Sequence, residues 1–336
     1  MTGTFVLARP EADRGLAAVL RTAPAVDASS CSVDASSCSA VPEALVHRSS
    51  HHDVLPTGHR RLSETHLQVT VHWAAGHRFY APAHRTTHHA LLVPETMRQT
   101  AIYLAHTEFE VPLGQHFVMW NLEFAMDQAG LAQQAGGADL VVDFHWEDVV
   151  RRGRQLAGLT CRMVISRDGQ PIAAGGGRIT CTSPGVYRRL RGERMAALGM
   201  PVPALPAVAP QTVGWREEAD VFLAPTEELG RWQLRVNTEH PTLFNRPNDH
   251  VPGMLLLEAA AQAATASSVP EQLVPVQTGI EFFRYAELDE PCWITAEPQP
   301  ATATAPATVV VTGEQGGEPV FRAVFTKGAD RDRARA

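Results

Sequence analysis

Apolar positions recur with helical spacing in two stretches of the chain, residues 94–106 and 253–268. In each stretch most residues are apolar, and the few polar ones stand three or four positions apart, which places them on one face of a helix. A helix that is apolar on its remaining sides belongs in a core. The pattern therefore predicts two buried helices, with Pro94 in the first turn of one and Pro270 ending the other.

Short alternating runs, typical of half-buried strands, surround both predicted helices. In the first half they are residues 64–73, 116–124, 138–146, 156–165 and 172–182. In the second half they are residues 231–238, 276–283, 292–297, 308–312 and 319–326. Asp168-Gly169 is a hairpin signal between two of these runs. A helix followed by an antiparallel meander, twice over, predicts two α+β units in which a sheet wraps one long helix.

The same distinctive residues recur in both halves at the same intervals. Glu95 and Gln99 in the first helix match Glu258 and Gln262 in the second. A histidine stands eighteen residues before each glutamate, at His77 and His240. We interpret this correspondence as an internal duplication.

The two predicted units, residues 44–182 and 215–327, leave three other segments. Residues 1–43 contain a tandem DASSCS repeat, whose small polar composition predicts a disordered extension. Residues 183–214 are predicted to be a linker, in which the prolines of PVPALPAVAPQ favour an extended, semi-rigid spacer. This linker carries a basic patch that is either a solvated face or a contact for an acidic carrier protein or a phosphate: Arg188, Arg189, Arg191 and Arg194. Residues 328–336 are predicted to be a frayed tail.

Composition excludes several functional classes. The formal net charge is −7 and no basic stripe stands out, which argues against a nucleic-acid-binding surface. No apolar run approaches the ~20 residues needed to cross a membrane, and the N-terminus lacks the order of a secretory signal. The five cysteines have no CxxC spacing and the histidines no HExxH spacing, so we expect neither disulfides nor a metal. A cytoplasmic location is the expectation.

Two features of the second helix are typical of acyl-transfer chemistry. Pro252-Gly253-Met254 begins the helix, whose first N–H groups are unpaired and carry a partial positive charge that would stabilise an oxyanion. Glu258 lies one turn further in, where an ionised carboxylate costs several kcal/mol unless it is paired or protonated. Such a carboxylate is a candidate catalytic group. The alternative is a structural glutamate that bonds nearby backbone.

The segment DHVPGMLLLEAAAQAA resembles the PG-x4-E-A-x-A-Q segment of hotdog-fold acyl-thioester enzymes. Together with GHRFY, HHALLVPETMRQTAIYLAHTEFEVP and HPTLFNRPNDHVPGMLLLEAA, it resembles the AfsA family. These are tandem-hotdog proteins that make γ-butyrolactone autoregulators. The resemblance implies a double hotdog whose two units pair with each other within the chain, burying their sheet edges.

The resemblance also implies a reaction. The hydroxyl of dihydroxyacetone phosphate attacks a β-ketoacyl thioester, and the product is a phosphorylated β-ketoacyl ester. The thioester would be carried on the phosphopantetheine of acyl carrier protein or coenzyme A, with no resident cofactor. The candidate catalytic residues are Glu95, Glu258, His240, His250 and Asp249. The candidate substrate-binding residues are Arg98, Gln99, His77, Asn245, Arg246, Gly253, Met254 and Gln262.

Two departures from the family pattern leave alternatives open. The family commonly reads FDHP where this chain has Phe244-Asn245-Arg246-Pro247, and it commonly has arginine in the second helix where this chain has Ala261. Asn245 also stands where the related dehydratases have a titratable histidine. Either the first unit does the chemistry, or Arg246 supplies the missing cation, or the substrate differs. A hotdog thioesterase or hydratase, and a non-catalytic acyl- or autoregulator-binding module, are the alternative functions. For His77 and His240, bracing a loop is the alternative to catalysis.

Overall fold

The computed structural model describes residues 40–269 and 273–328. The predicted disordered extension, with Cys31 and Cys38, lies outside these residues up to position 39. The predicted frayed tail lies outside them from position 329 onward. In the part of the chain that is described, no helix is long and apolar enough to span a membrane.

The first unit wraps one helix in a six-stranded antiparallel sheet. Its elements are β1 (Pro56–Arg61), β2 (His66–Trp73), α1 (Leu92–Thr107), β3 (His116–Met126), β4 (Ala138–Arg152), β5 (Gln155–Arg167) and β6 (Gln170–Thr182). The strands lie in the order β1-β2-β4-β5-β6-β3. Asp168 and Gly169 have φ values of 50° and 74°, as the predicted tight hairpin between β5 and β6 requires. Nearly every residue of α1 is buried, so the predicted core helix is confirmed.

A short helix, α2 (Pro184–Arg191), follows the first unit, and the second unit then repeats its plan. The elements of the second unit are β7 (Leu223–Pro225), β8 (Arg231–Leu234), α3 (Gly253–Ala266), β9 (Pro275–Phe282), β10 (Trp293–Gln299), β11 (Thr308–Gln315) and β12 (Glu318–Lys327). The strands lie in the order β9-β12-β11-β10-β8-β7. The mostly buried α3 contacts β10, β11 and β12, as the apolar pattern predicts for a core helix.

The two sheets join edge to edge. Strand β3 pairs antiparallel with β9, in a register that runs from Asn121 opposite Glu281 to Ala125 opposite Gln277. The result is one continuous twelve-stranded sheet. The inner edges of both units are therefore hydrogen-bonded to each other, and each helix faces the loops of the opposite unit. This arrangement is the one expected of two hotdog units.

The outermost strands, β1 and β7, have no counterpart among the runs predicted from the sequence. Strand β1 contains Pro56 and Gly58, and β7 ends at Pro225. Both lie at the outer edges of the sheet. Proline is tolerated there because one side of an edge strand needs no hydrogen-bond donor. The proline and glycine residues that make these strands hard to predict from the sequence are thus residues that suit an edge strand.

The first part of the linker predicted at residues 183–214 forms the helix α2. Ser183 caps α2 by accepting a hydrogen bond from the Val186 amide at 3.4 Å. The Arg191 side chain is buried and donates to Asp249 at 2.6 Å and to Glu287 at 2.7 Å. This basic residue is therefore a structural tie between α2 and the second unit. It forms no part of a solvated face.

Candidate active site

Glu95 lies fully buried on α1, where several cationic and amide groups surround it. Its Oε1 accepts from Arg48 Nε at 3.0 Å, from Arg98 Nη2 at 2.8 Å and from Gln99 Nε2 at 2.6 Å. Its Oε2 accepts from Arg98 Nε at 2.9 Å. Burial alone would raise the pKa of Glu95, but the two guanidinium groups outweigh burial and lower that pKa to about 2. The carboxylate is therefore ionised, and both of its oxygens are occupied.

Arg246 lies close to the two arginines that bind this carboxylate, and we call Arg48, Arg98 and Arg246 the arginine cluster. Arg48 also donates to the Thr242 carbonyl of the second unit at 2.6 Å. Arg246 comes from the same loop of the second unit and has no hydrogen bond or ion pair to any other described residue. Burial, and then the charges of Arg98 and Arg48, lower the pKa of Arg246. One carboxylate against three guanidinium groups leaves two positive charges in excess.

The arginine cluster lies on the wall of a cavity of about 1030 Å³ between the two units. Ligand sites commonly range from about 300 to 1000 Å³, so this space is large enough for two substrates. The remainder of the cavity is largely apolar. Residues from α1 and from the facing strands β5 and β6 line that part: Met97, Ala101, Ile102, Cys161, Met163 and Ile179.

The N-terminus of α3 opens onto the same cavity. Pro252, Gly253 and Met254 line the wall, and a side chain in place of Gly253 would meet Phe282 at 3.3 Å. Nearby, the Asn245 side-chain nitrogen is buried without a hydrogen-bond partner in the described chain. A helix N-terminus and an unpaired amide donor are groups that stabilise negative charge on oxygen.

The equivalent glutamate of the second unit, Glu258, has different neighbours. Glu258 accepts from Trp215 Nε1 at 2.8 Å and from Gln262 at 3.0 Å, while its Oε2 has no hydrogen-bond partner in the described chain. Phe79 of the first unit stacks on Trp215 with ring centroids 4.8 Å apart. Burial raises the pKa of Glu258 to about 7 and lowers that of His89, 3.7 Å away, to about 3. Glu258 does not line the cavity.

The two glutamines and the two upstream histidines brace the loops in the same way in both units. Gln99 accepts from the Leu55 amide at 2.9 Å, and Gln262 accepts from the Phe222 amide at 2.9 Å. His77 and His240 each contact an aspartate at 3.0 Å through Nε2, and each accepts two backbone N–H groups at Nδ1. None of these four residues lines the cavity. The geometry favours loop bracing over catalysis for both histidines.

Asp249 and His250 form part of the attachment of α2. Tyr187 donates to Asp249 Oδ1 at 2.7 Å, and His250 Nδ1 lies 3.0 Å from the same oxygen. Although burial opposes it, hydrogen bonds from His250, Arg191 and Tyr187 hold the pKa of Asp249 well below its usual range. Asp249 is therefore a poor proton acceptor, although both Asp249 and His250 line the cavity.

Known proteins match this chain over most of its length. The family model of AfsA, described as A-factor biosynthesis hotdog domain, matches residues 30–183 and 200–329. This chain belongs to the AfsA family. The resemblance and the double-hotdog fold expected from the sequence are both confirmed.

Two curated AfsA-family relatives carry the same name. The 2-oxo-3-(phosphooxy)propyl 3-oxoalkanoate synthase of Streptomyces virginiae is 44% identical over 295 residues, covering 87% of this chain and 99% of the relative. The synthase of that name from Streptomyces coelicolor is 40% identical over 286 residues, covering 84% and 89%. The chain is therefore a member of an enzyme family. Among solved structures, the 12:0-ACP thioesterase from Umbellularia californica has a TM-score of 0.45 at 12% identity, covering 77% of this chain and 93% of the thioesterase.

Two differences between the repeats account for the different surroundings of Glu95 and Glu258. Arg48 stands five residues before Asp53, and Trp215 stands five residues before Asp220. The position of Arg98, three residues after the glutamate, is Ala261 in the second unit. Both cations that surround Glu95 are thus missing around Glu258. Trp215, stacked on Phe79, donates a hydrogen bond to Glu258 in their place.

Two residues of the AfsA-family site are absent from the sequence prediction, Arg48 and its neighbour His47. They lie in a histidine-rich segment that is far from either core helix in the sequence. The one usable signal is the spacing of Arg48 before Asp53, which has no counterpart in charge in the second unit. Of the predicted binding residues, the structure brings Arg98, Asn245, Arg246, Gly253 and Met254 to the cavity.

Proposed function

We propose that this protein transfers a β-ketoacyl group from a thioester to the hydroxyl of dihydroxyacetone phosphate. The product would be the 2-oxo-3-(phosphooxy)propyl 3-oxoalkanoate for which its relatives are named. The observation that carries the proposal is the arginine cluster, with its excess of two positive charges, at the wall of a largely apolar cavity. A phosphate dianion matches that charge, and guanidinium groups match phosphate oxygens in geometry.

The remaining wall suits the second substrate. The acyl chain would lie in the apolar part of the cavity, between α1 and strands β5 and β6. Each methylene group of the chain that is buried there would stabilise binding by about 0.8 kcal/mol. The thioester carbonyl would point at the N-terminus of α3 and at the unpaired Asn245 amide, where negative charge on oxygen is stabilised as the hydroxyl attacks. Gly253 leaves room for this approach.

Glu95 acts in this proposal by positioning the cations. Its oxygens are occupied by Arg48, Arg98 and Gln99, and its low pKa makes it a weak base. Removing it would leave the guanidinium groups without a fixed orientation. Glu258 has no role in the transfer, because it bonds Trp215 and Gln262 rather than the arginine cluster and does not line the cavity.

A carrier protein is the proposed donor of the acyl group. Helix α2 exposes Arg188, Arg189 and Leu190, and Leu190 lines the cavity mouth. Arg191 and Arg194 are already paired with nearby carboxylates: Asp249, Glu287, Asp289 and Glu290. Arg188 and Arg189 form no ion pair with any described residue, so their charge is available to an acidic partner whose phosphopantetheine arm enters the cavity.

The first experiment incubates the purified protein with a β-ketoacyl thioester and dihydroxyacetone phosphate and follows products by mass spectrometry. We expect a phosphorylated β-ketoacyl ester, lost in Glu95→Gln and retained in the matched variant Glu258→Gln. Free β-keto acid without ester would establish a thioesterase instead. Intact thioester that stays bound without turnover would establish a binding module.

The carrier is tested by comparing two donors, the same acyl group on acyl carrier protein and on coenzyme A. The double variant Arg188→Glu, Arg189→Glu should lower kcat/KM about 10-fold or more for the protein-bound donor and leave the coenzyme A donor unchanged. If the double variant lowers kcat/KM equally for both donors, Arg188 and Arg189 do not contact the carrier protein.

A further inference from the structure

A chain of hydrogen bonds fixes the protonation of two histidines at the cavity. His106 Nδ1 lies 2.6 Å from the carbonyl oxygen of Val111, so this nitrogen carries the proton and donates it. His106 Nε2 is then an acceptor, and His47 Nε2, at 3.1 Å, donates to it. The remaining nitrogen of His47, Nδ1, therefore has a free lone pair, and it has no hydrogen-bond partner in the described chain.

His47 is held beside the arginine cluster by its backbone. The preceding carbonyl, that of Val46, accepts from Arg98 at 3.3 Å, and the following residue is Arg48. His47 has a positive φ of 56°, in the left-handed region that non-glycine residues adopt rarely and that recurs at functional sites. Its ring packs edge-on against Phe117, with centroids 5.2 Å apart, and lines the cavity.

We propose that His47 is the general base of the transfer reaction. This inference rests on the proposed function, because the proton it accepts is that of the attacking hydroxyl of dihydroxyacetone phosphate. As the hydroxyl oxygen forms its bond to the thioester carbon, the O–H proton passes to His47 Nδ1. When the C–S bond breaks, the proton passes from His47 to the leaving sulfur, which departs as a thiol. No oxidant, reductant or further reactant is required.

The charges around His47 keep it neutral until substrate binds. Burial, and then the charges of Arg246 and Arg98, lower the pKa of His47 to about 3 in the free protein. A bound phosphate dianion would offset the two guanidinium charges. The proton affinity of His47 therefore rises when the substrate that it must deprotonate is in place.

Two other groups near the cavity are less suited to this proton transfer. Glu95 has both oxygens occupied and does not line the cavity. His250 lies near α2 and Tyr285, at 4.6 Å between ring centroids, rather than beside the arginine cluster. The hydroxyl belongs to the substrate whose phosphate the arginine cluster holds, only a few bonds away, which places it near His47.

The test uses His47→Gly, which suits the positive φ and leaves space for free imidazole, and His47→Asn, which also tolerates that backbone. We expect kcat to fall about 100- to 10,000-fold in both, with KM for dihydroxyacetone phosphate changed less than about 3-fold. Added imidazole should restore part of the activity in His47→Gly only. In the wild-type protein the acid limb of kcat should lie at higher pH than that of kcat/KM.

His106 is a positioning residue in this scheme, and His51→Gln is the matched control. His106→Gln should lower kcat about 10-fold and move its acid limb, because the tautomer of His47 is no longer fixed. His51 is largely exposed and lies four residues from His47, so its substitution should change neither activity nor pH profile.

Retention of activity in His47→Gly within about 3-fold, with an unchanged pH profile, would overturn the role of His47. A second outcome would also overturn it: imidazole restores activity that was lost in His250→Gln but does not restore activity in His47→Gly. If the wild-type protein forms no ester at all, the proposed function itself fails, and the role of His47 falls with it. An active wild type separates the two results.

Discussion

Glu95 and Glu258 occupy equivalent places on α1 and α3, yet their pKa values shift in opposite directions. Around Glu95, Arg48 and Arg98 outweigh burial. Around Glu258 no such cation is present at the two equivalent positions, so burial dominates. The same residue type therefore holds cations in one unit and is a buried acid in the other.

The first prediction concerns the pH dependence of stability in Glu258→Gln. The carboxyl titrates near its ordinary value of 4.5 in the unfolded chain and near 7 in the folded protein. Between these values the folded protein binds a proton that the unfolded chain releases, so this group lowers stability as pH rises from about 4.5 to about 7. Glutamine removes the penalty. The variant should gain up to about 3 kcal/mol relative to wild type between pH 4.5 and pH 8, measured by denaturant unfolding at both pH values.

Glu95→Gln should show the opposite sign. Its folded pKa, about 2, lies below the unfolded value of 4.5. The ionised carboxylate therefore contributes stability that is present above about pH 4.5 and is lost as pH falls towards 2. At pH 7 the variant should be less stable than wild type by about 3 kcal/mol. Equal pH slopes for the two variants would show that the two sites are electrostatically alike, contrary to the structure.

Phosphate binding gives a second prediction at the residue scale. Arg98→Met keeps much of the side-chain volume and removes one guanidinium group from the arginine cluster. A hydrogen bond to a charged group contributes roughly 1.5–3 kcal/mol, so KM for dihydroxyacetone phosphate should rise about 10- to 100-fold. KM for the thioester should change little, which initial-rate kinetics with each substrate varied would show. A matching rise in both would place Arg98 outside the phosphate site.

At the scale of elements, α2 is attached to the second unit mainly by Arg191. The guanidinium group is buried, contacts Asp249 and Glu287, and lies 4.4 Å from the ring centroid of Tyr285. Breaking a buried ion pair from one side costs about 3–5 kcal/mol because the other charge stays buried. This attachment fixes one side of the cavity mouth.

Arg191→Met should therefore release α2. We expect faster hydrogen exchange and proteolysis at residues 184–200, and a loss of about 3–5 kcal/mol in the free energy of unfolding. The exposed Arg189→Met is the control and should change stability by less than about 0.5 kcal/mol. Unchanged exchange in the Arg191 variant would show that apolar contacts alone hold the helix.

At the scale of the whole molecule, the pairing of β3 with β9 makes one sheet from two repeats. An unpaired inner edge would expose a row of backbone N–H and C=O groups. Each unit also supplies part of the other unit's site, as Arg246 and the Thr242 carbonyl do beside Glu95. The duplication has therefore produced a single folding and functional body.

We accordingly predict that the protein unfolds in one cooperative transition. Tryptophan fluorescence, far-ultraviolet circular dichroism and calorimetry should give coincident curves, with equal calorimetric and van't Hoff enthalpies. Thr278→Pro, which removes a backbone donor from β9 at the junction with β3, should lower the midpoint without splitting the transition. Two separate transitions in the wild-type protein would contradict the single-body interpretation.

The sequence by itself determined the repeated plan of this protein. The apolar spacing around Glu95 and Glu258 predicted both core helices, and alternation predicted ten of the strands, because these signals depend on near neighbours in the chain. It also predicted the reaction class, since the helix start at Gly253 and the family motifs are local. The edge strands β1 and β7 escaped because proline and glycine suit an unpaired edge.

Only the tertiary structure decided which of the two glutamates is surrounded by cations. The contrast between Glu95 and Glu258 depends on Arg48 and Trp215, which lie more than forty residues away in sequence and reach the helices only through folding. The free nitrogen of His47 likewise follows from a contact with His106, fifty-nine residues distant. Electrostatic environments are sums over neighbours in space, and a one-dimensional pattern contains the groups without their distances.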